Sequence, residues 1–241
     1  MMTARYTRQL PLIGNEGQAR LSRATVGIVG AGGLGSPVAT YLTLAGVGTL
    51  ILADDDTVQE SNLNRQFLHP TRNVGVSKIR SATQTLTELN PDVTIRSFPE
   101  RITSETVNRF AEHADILVDA TDNFEVRYLL NLIALKMGIP LIHGAVEGFS
   151  GQMTTILPGI TPCLSCLFPH PPPLRETPII GATAGVIGSL QAMEVIKYLT
   201  GSGRLLSGRL LIWDGLAGRT EYLTVSVRPG CTVCSSTHVE K

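Results

Sequence analysis

Two cysteine pairs carry the most specific chemical pattern in the chain. Cys163 and Cys166 lie in TPCLSCLFPHPPP and Cys231 and Cys234 in PGCTVC, with 64 residues between the pairs and no other cysteine among the 241. Thiolates are soft ligands, and two Cys-x-x-Cys units together supply the four corners of a tetrahedral zinc site. Four thiolates leave no open position, so such a zinc is structural and would clip the proline-rich loop to the carboxyl terminus. A thioredoxin-like redox pair would instead need its first thiolate at a helix amino terminus. The prolines after Cys166 are expected to forbid that helix, and a reducing compartment disfavours disulfides.

The second pattern is a glycine run, Gly30-Ala31-Gly32-Gly33-Leu34-Gly35, between the β-branched segment ATVGIV and the helical segment LGSPVATYLTLAG. Gly30, Gly32, Gly33 and Gly35 would let the backbone approach a phosphate, and the helix amino terminus would present N–H donors to it. Asp54 follows Gly30 by 24 residues, at the end of the next strand, where an acid can bind ribose hydroxyls. A structural tight turn is the plainer reading of the same glycines. NAD, FAD and ATP proteins share the signature, so it leaves the nucleotide open.

The charged residues nearby point to ATP. The stretch DDDTVQESNLNRQF contributes Asp54, Asp56, Asn62, Arg65 and Gln66, and Lys78 opens the following helix. Hydride transfer needs no additional cations beside the pyrophosphate turn. Displacement of pyrophosphate does need them, because charge grows on phosphorus and on the leaving group. In DATDN, Asp119 and Asp122 fall at the carboxyl end of another strand, and Asp122 could hold Mg²⁺ through hard carboxylate oxygens. Solvated charge for Arg65 and Lys78, and a helix cap for Asp122, are the alternatives. His143 reads as a hydrogen-bonded strand-end histidine, and Trp213 as packing in a hairpin. Arg5 and Arg8 read as a solvated arm, and the other histidines lack ligand-like spacing.

The elements that must position these residues alternate. ATVGIV, GTLILA, VTIRSF, DILVDA and IPLIHGAV read as strands separated by helices over 34–46, 75–90, SETVNRFAEHA and 124–137. That order specifies an open parallel sheet. GQMTTILP adds a strand, and TAGVIGSLQAMEVIKYLTG is a helix with a small-residue face formed by Ala184, Gly185, Gly188 and Ala192. RLLIWDG and TEYLTVSV close the chain as an antiparallel hairpin.

Apolar residues make up 43% and aromatic residues 5%, which implies an aliphatic core. Twenty basic residues balance twenty acidic ones, which argues against nucleic acid or an anionic membrane as partner. Residues 24–53 carry no charge, but seven glycines break that run into pieces too short to span a bilayer. No secretory h-region is visible at the amino terminus, and a cytoplasmic location is expected.

Together these motifs resemble the ThiF/MoeB/HesA family of ubiquitin-activating-like adenylyltransferases. The likeness runs from RYTRQL through GAGGLGS, DDDTVQESNLNRQF, GVSKIRSA and DATDN to GVIGSLQAMEVIKYLTG and PGCTVC. It is nearest to the MoeB-like group without a rhodanese extension. The resemblance implies one Rossmann-like α/β domain over 1–241, mainly parallel with helices on both faces, continued by antiparallel strands and the four-cysteine zinc clip. Its nucleotide-binding half would be about 1–145 and its acceptor-binding and zinc half about 146–241.

The resemblance further implies that Gly32, Asp54, Asn62, Arg65, Gln66, Lys78 and Asp122 serve ATP and Mg²⁺. It implies a homodimer in which Arg8 reaches the neighbouring subunit's site. The substrate would be the carboxyl terminus of a small ubiquitin-like sulfur-carrier protein ending in Gly-Gly. Some relatives carry a further cysteine in the loop corresponding to 167–182, and this chain has none. The expected reaction therefore stops at the acyl-adenylate. A small-molecule carboxylate as acceptor, an oxidoreductase and a non-catalytic dimer are the competing readings.

Overall fold

The structure, a computed structural model, describes residues 4–170 and 177–234. Part of the proline-rich loop, 171–176, lies outside them. Leu10–Arg23 forms α1, followed by β1 (Thr25–Val29), α2 (Gly35–Ala45) and β2 (Thr49–Ala53). Then come α3 (Lys78–Leu89), β3 (Thr94–Phe98), α4 (Val107–Ala111), β4 (Ile116–Asp119) and α5 (Phe124–Met137). The remainder is β5 (Leu141–Glu147), β6 (Ser150–Ile156), α6 (Leu164–Leu167), α7 (Gly181–Thr200), β7 (Arg209–Asp214) and β8 (Arg219–Thr224).

All eight strands join one sheet in the order β3-β2-β1-β4-β5-β6-β7-β8. The first five are parallel and the last three antiparallel. Strand order reverses between β1 and β4, and the crevice beyond the carboxyl ends of strands at such a switch point is where open α/β sheets take their ligands. Val29 of β1 pairs with Ala53 and with Asp119, and Asp119 pairs with His143. One row thus crosses the sheet at the edge that faces this crevice.

The alternation of side chains along the strands divides the core in two. Val26, Ile28, Leu50, Leu52, Ile116, Val118 and Ile142 pack with Val38, Leu42, Ile187 and Val195 from α2 and α7. On the other face Ile51, Leu117 and Leu141 pack with Phe110 of α4 and with Val126, Leu130 and Ala134 of α5. The small-residue face of α7 is what permits contact with α2. A Cβ at Gly188 would lie 2.4 Å from Pro37 Cγ and 2.6 Å from the Leu34 carbonyl oxygen. Gly185, by contrast, faces open space. Among the described residues no helix is long and apolar enough to cross a membrane.

Several local expectations need correction. The amino-terminal segment is a helix, α1, bent at Gly14 (φ 67°). Arg5 is tied by Nη1 to the Leu89 carbonyl at 2.8 Å, and Tyr6 Oη accepts from Asn90 Nδ2 at 3.0 Å, so the arm is docked. The helix expected over 75–90 begins at Lys78, because Gly75 (φ 86°) turns the chain there. The helix expected at SETVNRFAEHA shrinks to the five residues of α4. The segment between Cys163 and Cys166 does turn helical, as α6, with Cys163 as its N-cap. The prolines begin one turn too late to prevent it, and four residues are too short to build an appreciable dipole.

Candidate adenylylation site and zinc clip

The glycine loop closes over the end of β1. Gly30 has φ 98°, and a Cβ there would sit 2.5 Å from the Ala120 carbonyl oxygen. A Cβ at Gly35 would sit 1.9 Å from the Gly30 carbonyl oxygen. These two glycines are demanded by the turn itself. Gly32 and Gly33 are different, since a Cβ at Gly32 would meet nothing nearer than Gln66 Nε2 at 3.4 Å, and one at Gly33 would meet Ala184 Cβ at 3.3 Å. The loop hands the chain to α2, whose first N–H groups have no intrahelical partner. Ser36 folds back on the Gly32 carbonyl through its N–H at 2.9 Å and its hydroxyl at 2.8 Å.

Asp54, at the end of β2, braces this loop. Its Oδ2 accepts from the Ala31 N–H at 2.8 Å and its Oδ1 from the Asp56 N–H at 3.0 Å. Lys78 Nζ lies 2.7 Å from Asp56 Oδ2 and 3.9 Å from Asp54 Oδ1, with its side chain almost wholly buried. The two acids hold the ammonium group beside the loop.

Asn62 and Gln66 are buried, and Arg65 between them is half-buried. Asn62 Oδ1 accepts from the Gln59 N–H at 3.1 Å, so this side chain has a structural duty in the turn. Gln66 faces Gly32, and its Oε1 is buried without a partner among the described residues. The stem of Arg65 passes 3.7 Å from the Cβ position of Gly33, and its Nη1 donates to the Ser61 carbonyl at 2.8 Å.

Asp122 is exposed on the turn that leaves β4, next to the peptide that Gly30 abuts. It is not the helix cap: Asn123 caps α5 by accepting from the Glu125 N–H at 2.9 Å. Gly30–Gly35, Asp54, Asp56, Gln66, Arg65, Lys78 and Asp122 therefore converge at the switch point. Arg8 does not join them. Tyr6 packs on Gly46 and Gln9 caps the Ala45 carbonyl at 2.9 Å, both at the far end of α2. That helix is 11 residues, about 16 Å long.

Two buried histidines brace the site: His143 is hydrogen-bonded in its strand, as its sequence suggests, whereas His69 escaped the sequence reading. His69 bonds through Nε2 to the Ala31 carbonyl at 2.8 Å and through Nδ1 to Ser81 Oγ at 3.1 Å. Burial, together with the nearby Lys78, pushes its pKa below the ordinary value and outweighs the bond to Ala31. The neutral ring donates its Nε2–H to Ala31, clamping the glycine loop from behind. His143 is fully buried, and burial likewise lowers its pKa despite an Nδ1 bond of 2.6 Å to Asp119 Oδ2.

The four cysteines gather as the spacing predicts. Sγ of Cys163 lies 3.9 Å from those of Cys166 and Cys231, and Sγ of Cys166 lies 3.5 Å from that of Cys234. Zn–S bonds of about 2.3 Å in a tetrahedron place sulfurs about 3.8 Å apart. The donor set and the spacing both fit zinc. Burial pushes the thiols of Cys163 and Cys234 up, whereas at Cys231 backbone N–H groups of Cys234 and Val233 overcome burial and bring it to about 6. Crowded thiols of this kind cannot all ionise without a cation among them.

A family model described as ThiF family matches residues 6–233. The chain belongs to the ThiF family. Among ThiF relatives, the sulfur carrier protein adenylyltransferase of Thermus thermophilus is 44% identical over 243 residues, covering 95% of this chain and 90% of that protein. The SAMP-activating enzyme of Haloferax volcanii is 41% identical, covering 98% and 90%. An adenylyltransferase and sulfurtransferase of Dictyostelium discoideum is 45% identical over 95% of this chain, which spans only 56% of that longer protein. The solved structure of Escherichia coli MccB superposes with a TM-score of 0.87 over 97% of this chain and 75% of its own, at 22% identity, and shows the shared fold.

Proposed function

We propose that this ThiF-family chain adenylylates the carboxyl terminus of a small ubiquitin-like sulfur-carrier protein ending in Gly-Gly. The observation that carries the reading is the meeting of Arg65, Lys78, Gln66 and Asp122 around the glycine loop at the switch point. The relatives named for sulfur-carrier and SAMP activation, similar over nearly the whole chain, supply the acceptor class.

An α-carboxyl group has a pKa of about 3.5, so at neutral pH the acceptor is already a nucleophile and needs no base. Its oxygen attacks the α-phosphorus of ATP, the bond from that phosphorus to the bridging oxygen breaks, and pyrophosphate leaves with the electron pair. No proton moves. The chain's task is then to align the two reactants and to neutralise charge on the leaving group, which Arg65 and Lys78 do. Asp122 would hold Mg²⁺, which when bound supplies further neutralisation of the phosphates. Gly32 and Gly33, whose Cβ positions the protein itself leaves free of backbone, keep room for the nucleotide.

The reaction ends at the acyl-adenylate, because all four cysteines belong to the zinc clip and none is left to form a thioester. The nucleotide half is about 1–145, and the acceptor and zinc half about 146–241. Reduced cysteines gathered for zinc fit a cytoplasmic location.

The enzyme acts as a homodimer, with Arg8 completing the neighbour's site. Two features support this: the distance of Arg8 from its own glycine loop, and an apolar groove of about 580 Å³ lined by Pro37, Tyr41, Phe67, Gly185, Val186 and Met193. Phe67 and Met193 stand 57% and 54% exposed there. Exposed apolar area of this kind marks an interaction face.

ATP–pyrophosphate exchange tests the reading. Exchange that requires a purified Gly-Gly carrier is the expected result. Exchange with a small carboxylate alone would move the acceptor to that class, and absence of both with tight NAD binding would refute the reading. For the dimer, mixing inactive Arg8→Ala and Lys78→Ala proteins should restore about a quarter of the activity, since half the dimers then own one complete site.

A further inference from the structure

On the α5 face of the sheet the parallel pairing of β4 with β5 is apolar until its last position. Leu117 gives way to Asp119 on β4, and Leu141 to His143 on β5, directly opposite each other in the parallel register. Both replacements are fully buried. Pattern and packing call for an apolar pair here, and a buried polar cluster is in general no more stabilising than a well-packed apolar one. The cluster therefore needs another explanation, and its bonds supply one.

Asp119 Oδ2 takes the Nδ1–H of His143 at 2.6 Å and lies 3.5 Å from Arg127 Nε. Its Oδ1 accepts from the Thr121 N–H at 3.2 Å. Arg127, buried under the first turn of α5, donates from Nη2 to the Thr121 carbonyl at 2.7 Å and lies over the Phe124 ring at 4.8 Å. The Thr121 residue is thus gripped at both its N–H and its carbonyl, and the carbonyl belongs to the peptide that leads into Asp122. The preceding carbonyl, of Ala120, is the one against which Gly30 packs. The backbone of the turn is thus held up to the peptide that enters Asp122.

We propose that His143 is a positioning residue for the metal-binding carboxylate of Asp122, acting through Asp119 and the Thr121 peptide. The proposal rests on the adenylylation reading for the identity of the ligand, a divalent cation with a nucleotide. His143 fixes which way the Asp119 carboxylate turns. Asp119, with Arg127, fixes the peptide from which Asp122 projects. The His143 side chain is fully buried and exposes no surface to a ligand.

The test compares two amides. Asparagine places an N–H where His143 Nδ1–H stands, whereas glutamine, nearer in size to histidine, places it at the Nε2 end. Binding of Mn²⁺ in the presence of α,β-methylene-ATP is read by electron paramagnetic resonance, with thermal melting to confirm folding. His143→Asn should bind Mn²⁺ as the wild type does. His143→Gln should bind it about 10- to 100-fold more weakly, the usual cost of losing a hydrogen bond behind a metal ligand. Wild-type Mn²⁺ binding in His143→Gln, or equal weakening in both variants, would overturn the proposal by leaving only packing at this position.

Arg127→Lys provides an independent arm, because lysine keeps the charge beside Asp119 but cannot also hold the Thr121 carbonyl. It too should weaken Mn²⁺ binding, and wild-type binding would count against the grip. The Mn²⁺ measurement needs no acceptor. Failure of carrier-dependent exchange in the wild type would refute the proposed function and leave this comparison decisive.

Discussion

Gly30→Ala and Gly32→Ala should separate folding from nucleotide binding within a single loop. At Gly30 the backbone sits at φ 98°, and a Cβ would press to 2.5 Å from a carbonyl oxygen and 2.9 Å from its carbon. The left-handed backbone costs an L-residue about 1–2 kcal/mol, and forcing a methyl into packed backbone about 1–3 kcal/mol more. The sum, about 2–5 kcal/mol, is a large part of the 5–15 kcal/mol that stabilises a typical domain. At about 2–4 °C per kcal/mol for a chain of this size, the melting temperature should fall by roughly 5–20 °C. Gly32 has no positive φ, and its Cβ would touch only a side-chain amide at 3.4 Å. Gly32→Ala should therefore melt within about 2 °C of wild type, since substitutions that break no packing or strain rule stay near 0.5 kcal/mol. Its methyl would occupy the space proposed for phosphate, and ATP affinity by calorimetry should fall at least about tenfold, or 1.4 kcal/mol. Wild-type ATP affinity in a folded Gly32→Ala protein would refute the placement of the nucleotide. An unperturbed melt for Gly30→Ala would refute the steric argument for the turn.

Further outcomes follow from the same geometry. Asp122→Ala should lower pyrophosphate exchange by about 10²–10³-fold with an unchanged melting temperature, because the side chain is exposed and makes no bond within the described structure. Elemental analysis should find about one equivalent of zinc in the wild type and none in Cys231→Ser, which should also unfold at lower urea concentration. Stability should fall in acid through the two buried histidines. Their folded pKa values lie below the ordinary 6.5, so each contribution is complete above pH 6.5 and is lost as pH falls through the folded value. The unfolded chain then takes up protons that the folded one refuses, at up to about 1.4 kcal/mol per pH unit for each histidine. Urea titrations between pH 7 and 5 should show this slope, and a His69→Gln, His143→Asn double variant should flatten it.

What the sequence determined by itself was whatever repeats locally or pairs by type. Alternating strand and helix periods specified the parallel sheet, because each element had to bury an apolar face of its own period. The glycine spacing specified the turn after β1, and two Cys-x-x-Cys units with no competing thiol specified the clip. That Arg65, Gln66, Lys78 and Asp122 fall near the glycine loop was legible from their positions after the strand ends, and the role proposed for them rests on the charge a phosphate needs neutralised.

The misses lay where distant segments decide. The helix α1 was hidden because its amphipathic pattern is interrupted at Gly14. Of the two readings open for Asp122, the helix cap falls away because Asn123 caps α5, which only the turn geometry resolves. His69 and His143 meet Ala31 and Asp119, 38 and 24 residues away, so these partners are legible only in the fold, whereas Arg127 bonds the Thr121 carbonyl six residues back in the same turn. Tertiary structure alone set the Asp122 turn in a grip of buried charge and placed Arg8 at the far end of α2 from the loop it is proposed to serve in a neighbour. Both depend on which strand ends share an edge, which no single segment of the chain encodes.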